Sequence, residues 1–183
     1  MKGTHGTCVS YAEQIRKNGF NSSSLGRAGD GIYFWAYNDG NESFKYATDL
    51  AKSWWKQRLY KNCKKKSCSV IYVKLIENTG LYIDLESHEF KISKAVWVNR
   101  AYKSLLKENS NHRLSVTAAN NLYIKWLEED LGHKIDIYSV NMNPPTPFSS
   151  VVPFEIGGWP NCFVVRDKKC ITIIDIKICE DEK

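Results

Sequence analysis

No two cysteines in this 183-residue chain are spaced C-x-x-C, although six are present, at positions 8, 63, 68, 162, 170 and 179. None sits at a metal-ligand spacing from any of the four histidines. The zinc frameworks readable from sequence are thereby excluded, and free thiols in a reducing cytoplasm, with no metal, are expected. The chain also lacks any run approaching the roughly 20 apolar residues of a membrane-spanning helix, and its opening "MKGTHGTCVS" lacks the apolar segment of a secretory signal. A soluble, cytoplasmic protein with no membrane partner is the expectation. There are no internal repeats, and the G-x-G-x-x-G fingerprint of a Rossmann dinucleotide site is missing.

Apolar residues make up 43% of the chain and aromatic residues 13%, enough to bury a core and too much for a disordered chain. The length fits a single domain spanning residues 1–183. The net charge of +6 owes much to "KNCKKKSC", where Lys61, Lys64, Lys65 and Lys66 can meet phosphates or simply form a solvated loop.

Hydrophobic spacing sets out the elements. Val9, Ala12 and Ile15 recur at helical intervals, with Gly19 as a stop after a basic last turn. "NSSSLGRAGDG" has the composition of a mobile, accessible loop, and "GIYFWA" (31–36) reads as a buried strand. Phe44, Ala47, Leu50, Ala51, Trp54 and Trp55 mark a long amphipathic helix. "SVIYVKLI" and "GLYIDLE" are two strands separated by a turn signal, expected to form a hairpin. Two helical segments fill the region of about 88–132 and stop at Gly132, and "KIDIYSVNM", "CFVVRD" and "CITIIDIKI" are strands. The sum is an α+β chain.

Chemistry concentrates near the start. In "HGT", His5 offers a ring nitrogen to a sugar hydroxyl, and Gly6, if it lies at a strand end, lets a planar amide approach its backbone N–H and C=O with no Cβ in the way. Tyr33 and Tyr46 can supply aromatic faces for such a ring. Each has a plainer reading, His5 as a satisfied polar residue and Tyr33 as core.

Taken in order, "HGT", the glycine-rich loop, "GIYF" and "SFKY" resemble the ADP-ribosyltransferase superfamily, in the branch of diphtheria toxin and the poly(ADP-ribose) polymerases. The resemblance covers the first 86 residues well, with a slightly longer link after Tyr33 than in the polymerases, and the C-terminal strands less closely. It implies split antiparallel β-sheets with flanking helices, a helical insertion at about 88–132, and NAD+ as co-substrate without a metal. By position it implies that His5 binds the adenosine-side ribose and Gly6 pairs with the nicotinamide carboxamide. Ser43 would bond the same carboxamide, Tyr33 and Tyr46 would stack on the ring, Thr7 would support the strand end and Arg27 would meet the pyrophosphate.

One motif departs from the family. Where the family carries a glutamate at the start of a late strand, "NCFVV" has Cys162. A thiol, with an ordinary pKa near 8.5, is mostly neutral at pH 7 and a weak hydrogen-bond partner. Glu155, seven residues earlier in "VVPFEIGGWPN", is the carboxylate expected to serve instead. Members with an uncharged residue here are limited to single transfers. The resulting expectation is a mono-ADP-ribosyltransferase, with a catalytically inactive NAD+ or ADP-ribose-binding module as the alternative.

For the acceptor, the lysines Lys64, Lys65 and Lys66 with Trp159 suit a nucleic acid, favoured slightly over protein, because cations hold phosphates and an indole stacks on a base. A nucleic-acid-binding protein without catalysis is the third reading, and no RRM, KH or helix-turn-helix pattern supports it. Small stand-alone enzymes of this kind resemble bacterial toxins, in toxin–antitoxin pairs or phage defence, so an antitoxin is expected by analogy.

Overall fold

In the computed structural model, residues 1–24, 26–58, 60–108, 111–146, 148 and 158–179 are described. The chain runs β1 (Lys2–Cys8), α1 (Val9–Asn18), β2 (Ile32–Tyr37), α2 (Asn41–Arg58), β3 (Cys68–Leu75), β4 (Leu81–Asp84), α3 (His88–Glu108), α4 (His112–Leu131), β5 (Ile135–Asn141), β6 (Asn161–Val165) and β7 (Ile171–Ile178). It is an α+β fold with four helices and one seven-stranded mixed sheet ordered β4-β5-β6-β2-β1-β3-β7.

Local signals explain the boundaries. Gly19 ends α1 at φ 74°, donating its N–H to the Ile15 carbonyl at 2.8 Å, and Gly132 ends α4 in the left-handed region at φ 68°. The Asn111 side chain caps α4 by accepting the Leu114 N–H.

Side-chain alternation divides the core between the two sheet faces. On one face, α1 covers Ile32, Phe34, Ile71, Val73, Phe163 and Val165. On the other, α2 packs on Trp35, Val70, Tyr72 and Cys162, and α4 covers Tyr138, Val140 and Val164. Glu128 pins α4 to the sheet. One of its oxygens accepts the Ile135 N–H at 2.9 Å and the Arg166 guanidinium at 2.6 Å.

Three expectations are corrected. The segments "SVIYVKLI" and "GLYIDLE" are strands but no hairpin, since β3 pairs with β1 and β7 while β4, among the described residues, pairs only with β5, at the opposite edge. Asp136 explains how the link between them is fixed, because one carboxylate oxygen accepts the N–H groups of Asn78, Thr79 and Gly80 at 2.8–3.1 Å and draws that turn to β5 rather than back along β3. The sheet is likewise not wholly antiparallel. The α3–α4 pair, which fills the expected helical region, carries the chain over so that β5 returns parallel to β4.

Free thiols are the third. Cys8 and Cys63 form a disulfide, while Cys162 and Cys170 keep free thiols. After α2 the chain folds back over the start of α1, with Val9 N–H donating to Ser67 O at 3.1 Å and Lys65 N–H to the Ser10 hydroxyl at 2.8 Å, and this brings Cys63 to the end of β1. Spacing in sequence cannot register a pair separated by 55 residues. No helix among the described residues is long and apolar enough to cross a membrane.

Closing so long a loop restricts the unfolded chain, so Cys63→Ser is expected to cost about 4 kcal/mol. Denaturant midpoints should fall accordingly, and a reductant should bring the unmodified protein down to the variant's value.

Candidate functional site

Strand β1 pairs with β3 along its whole length, from Lys2 to Cys8. Against β2 it pairs only through Lys2, Gly3 and Thr4, opposite Tyr37, Ala36 and Trp35. Beyond Thr4 the ladder stops, while β2 continues on β6 from Trp35 back to Ile32. The sheet is therefore split between His5–Cys8 on one side and Ile32–Phe34 on the other. Backbone groups at a strand edge without a neighbour are available to a ligand that can supply the missing hydrogen bonds.

His5 stands at the point of divergence. It lies within β1 rather than at a strand end, a correction that follows from the full β1–β3 ladder. Its Nδ1 is 3.0 Å from the Tyr33 carbonyl, a bond across the split, and its ring rests on Phe20 and Phe34 with centroids 5.4 and 5.8 Å apart. Burial is the main influence on its pKa, lowering it; the Tyr33 carbonyl works in the opposite direction, and the Arg58 charge lowers it further.

Gly6 is required by packing. A Cβ built there would lie 1.8 Å from the Ala51 carbonyl oxygen, so α2 rests its backbone on β1 at this residue. The side expected to admit a ligand is filled by the helix, and the Gly6 carbonyl accepts the Tyr60 hydroxyl at 3.3 Å. Thr7 is buried beside it.

Tyr33 and Tyr46 both border the hydrophobic cluster under α2, together with Cys162. Tyr33 is half-buried, and burial raises its phenol pKa well above the ordinary value. Its hydroxyl donates to the Gly29 carbonyl and accepts the Ala28 N–H at 3.1 Å. Tyr46 packs edge-on against Phe148, centroids 5.4 Å apart. Ser43 serves the start of α2, its hydroxyl accepting the Asn38 N–H at 3.0 Å.

The glycine-rich loop is not freely mobile at its second half. Tyr138 donates to Ala28 O at 2.7 Å, Thr117 to Gly26 O at 3.0 Å and Asn120 to Arg27 O at 3.2 Å, while Asn121 accepts the Asp30 N–H at 2.7 Å. Polar side chains of α4 thus replace water as partners of the loop backbone, and Ala28 and Gly29 are buried. Arg27 itself is exposed.

Cys162 lies on β6 opposite Trp35, fully enclosed, and burial pushes its thiol up to about 12. It is neither nucleophile nor acid at neutral pH. Glu155 lies outside the described residues. Of the expected acceptor contacts, Trp159 is exposed, Lys65 is paired with Glu13 at 2.6 Å, and Lys64 and Lys66 are exposed. The tertiary fold also brings Asp136, Asp167 and Cys170 within 4.8 Å of one another, although Asp136 already takes three backbone N–H groups. Tyr60 and Arg58 had no motif to announce them, because both lie at or just past the end of α2, where periodicity stops. No protein-family profile, curated protein or solved structure matches the chain.

The lowered His5 pKa fixes the sign of a pH effect. Above the ordinary histidine value of about 6.5 the ring is neutral in folded and unfolded chains alike and its contribution is complete. As pH falls through that value the unfolded chain takes up the proton first, so stability is expected to decline towards pH 5. The melting temperature of His5→Gln should change less over this range, and an unchanged slope would reject the assignment.

Proposed function

We propose that this chain is a mono-ADP-ribosyltransferase that breaks the nicotinamide glycosidic bond of NAD+ and passes one ADP-ribose to a macromolecular acceptor, nucleic acid in preference to protein. The observation that carries the reading is the split of the sheet beyond Thr4 and Trp35, with His5 reaching the Tyr33 carbonyl across it at 3.0 Å. A break in the strand ladder with an imidazole and tyrosine side chains on the strands beside it suits a flat cationic ring attached to a sugar.

In this reading nicotinamide stacks between Tyr33 and Tyr46, with Ser43 and the Gly6 backbone toward its carboxamide and His5 toward a ribose. The glycosidic electron pair leaves with the pyridine nitrogen, neutralising the ring, and the sugar C1′ becomes oxocarbenium-like. An acceptor heteroatom then forms the new bond to C1′ and gives up its proton. Glu155 is the carboxylate proposed to steady the cationic centre, and Lys64, Lys66 and Trp159 are proposed to meet the acceptor. By analogy alone, the setting is that of a toxin or phage-defence effector restrained by an antitoxin.

One observation favours the binding-module alternative. The position of the family glutamate is a buried, neutral thiol, and its surroundings offer a charge no solvent. Incubation with labelled NAD+ and separate RNA, DNA and protein pools separates the two. Label in nucleic acid with release of nicotinamide is expected, whereas NAD+ binding without either product would leave the module.

Two substitutions test the pocket. Tyr46→Ala removes a stacking face and should weaken NAD+ binding by about tenfold. Tyr60→Phe frees the Gly6 carbonyl from its internal donor and should tighten binding by roughly two- to tenfold, measured by calorimetry. Weaker binding in that variant would place the ligand elsewhere.

A further inference from the structure

The last turn of α2, the helix that packs on β1 at Gly6, carries an uncommitted cation. Arg58 is exposed, with its guanidinium carbon 5.3 Å from the centre of the Trp54 ring. Among the described residues its side chain has no carboxylate partner and no hydrogen bond, whereas Lys2, Lys65, Lys134 and Arg166 each have an acid. A guanidinium laid on an indole keeps its orientation and leaves its edge donors for an anion.

Immediately beyond, the Tyr60 N–H donates to the Arg58 carbonyl at 2.8 Å, and the Tyr60 hydroxyl reaches Gly6. Tyr60 therefore sits at the edge formed by Gly6 and Thr7, two residues past the helical turn that carries Arg58. Burial is the larger influence on both His5 and Tyr60, and the Arg58 charge bears on each, favouring neutral imidazole and easing ionisation of the phenol. Lys61 and Lys64 are both exposed on the loop that follows.

We propose that Arg58 is the residue that binds the diphosphate of an adenosine diphosphate moiety at the split, with His5 beside it to meet the ribose. The assignment rests on reading the split as a dinucleotide pocket, and it replaces Arg27 in that role. Arg27 belongs to a loop whose backbone is tied to α4 through Asn120, whereas Arg58 is placed by the same helix that covers Gly6.

Calorimetric titration of the full chain with ADP, adenosine and NAD+ tests it. Charge-assisted bonds to a diphosphate should make ADP bind more tightly than adenosine, and Arg58→Gln should weaken ADP by about tenfold while leaving adenosine unchanged. Arg58→Lys should recover part of the loss, and Arg100→Gln, an exposed charge on α3, should lose nothing. Because the Arg58 side chain is exposed, melting temperatures of the variants should match the unmodified protein, which separates lost binding from lost folding.

Equal ADP affinity with and without Arg58, or no ADP binding by the unmodified chain, would overturn the assignment. If ADP binding depends on Arg58 but NAD+ is never cleaved, the assignment stands and the transferase reading falls. Should nicotinamide be released from NAD+ while Arg58→Gln binds ADP normally, the reverse holds.

Discussion

Helix α2 rests on strand β1 backbone against backbone, and the contact exists only because Gly6 has no side chain. At 1.8 Å from the Ala51 carbonyl, a Cβ would force the helix away. The buried Thr4 hydroxyl, donating to Ala47 O at 2.7 Å, fixes the same approach one helical turn earlier. With the helix at this height, the chain just past its end sets Tyr60 against the Gly6 carbonyl, and the loop beyond meets α1 and is fastened through Cys8 and Cys63. The boundary of the split is thus set by packing behind the sheet.

Buried polar side chains provide the second organising constraint. Among the described residues no buried side-chain nitrogen or oxygen is left without a partner. An unpaired buried group would cost about 1–3 kcal/mol, so each of these bonds specifies a location as much as it stabilises one. Burial works against ionisation of Asp136 and of Glu128, and in both cases donors outweigh it and hold the carboxyl below its ordinary range. The N–H groups at 78–80 do this for Asp136, and Ile135 with Arg166 for Glu128. Tyr138, Thr117 and Asn120 then link the glycine-rich loop to α4 and β5, which makes the central helical pair a support for Tyr33.

Much of the secondary structure was legible because neighbours in sequence dictate it. Gly19 and Gly132 stop helices through local backbone freedom, and the apolar runs in β2, β3 and β5 match strands buried within a sheet. The candidate site was legible only as a set of residue types. Tyr33 and Tyr46 both border the cluster under α2, whereas the His5 ring rests on Phe20 and Phe34 of the cluster under α1, Ser43 is engaged in the helix start and Gly6 is covered by Ala51. Arg58 and Tyr60 were illegible because a helix terminus has no periodicity to mark which strand it meets.

The amino-acid sequence alone determined the helices, the strands, the basic loop and the order in which histidine and tyrosines occur along the chain. Those features depend on side-chain spacing over a few residues, where local sterics and solvent exclusion act. Tertiary structure decided which strands pair, where the pairing of β1 and β2 stops, and that Cys8 meets Cys63 while Cys162 is sealed from solvent. These outcomes depend on contacts between residues tens of positions apart, above all on how closely α2 can settle on Gly6, and no local pattern encodes that distance.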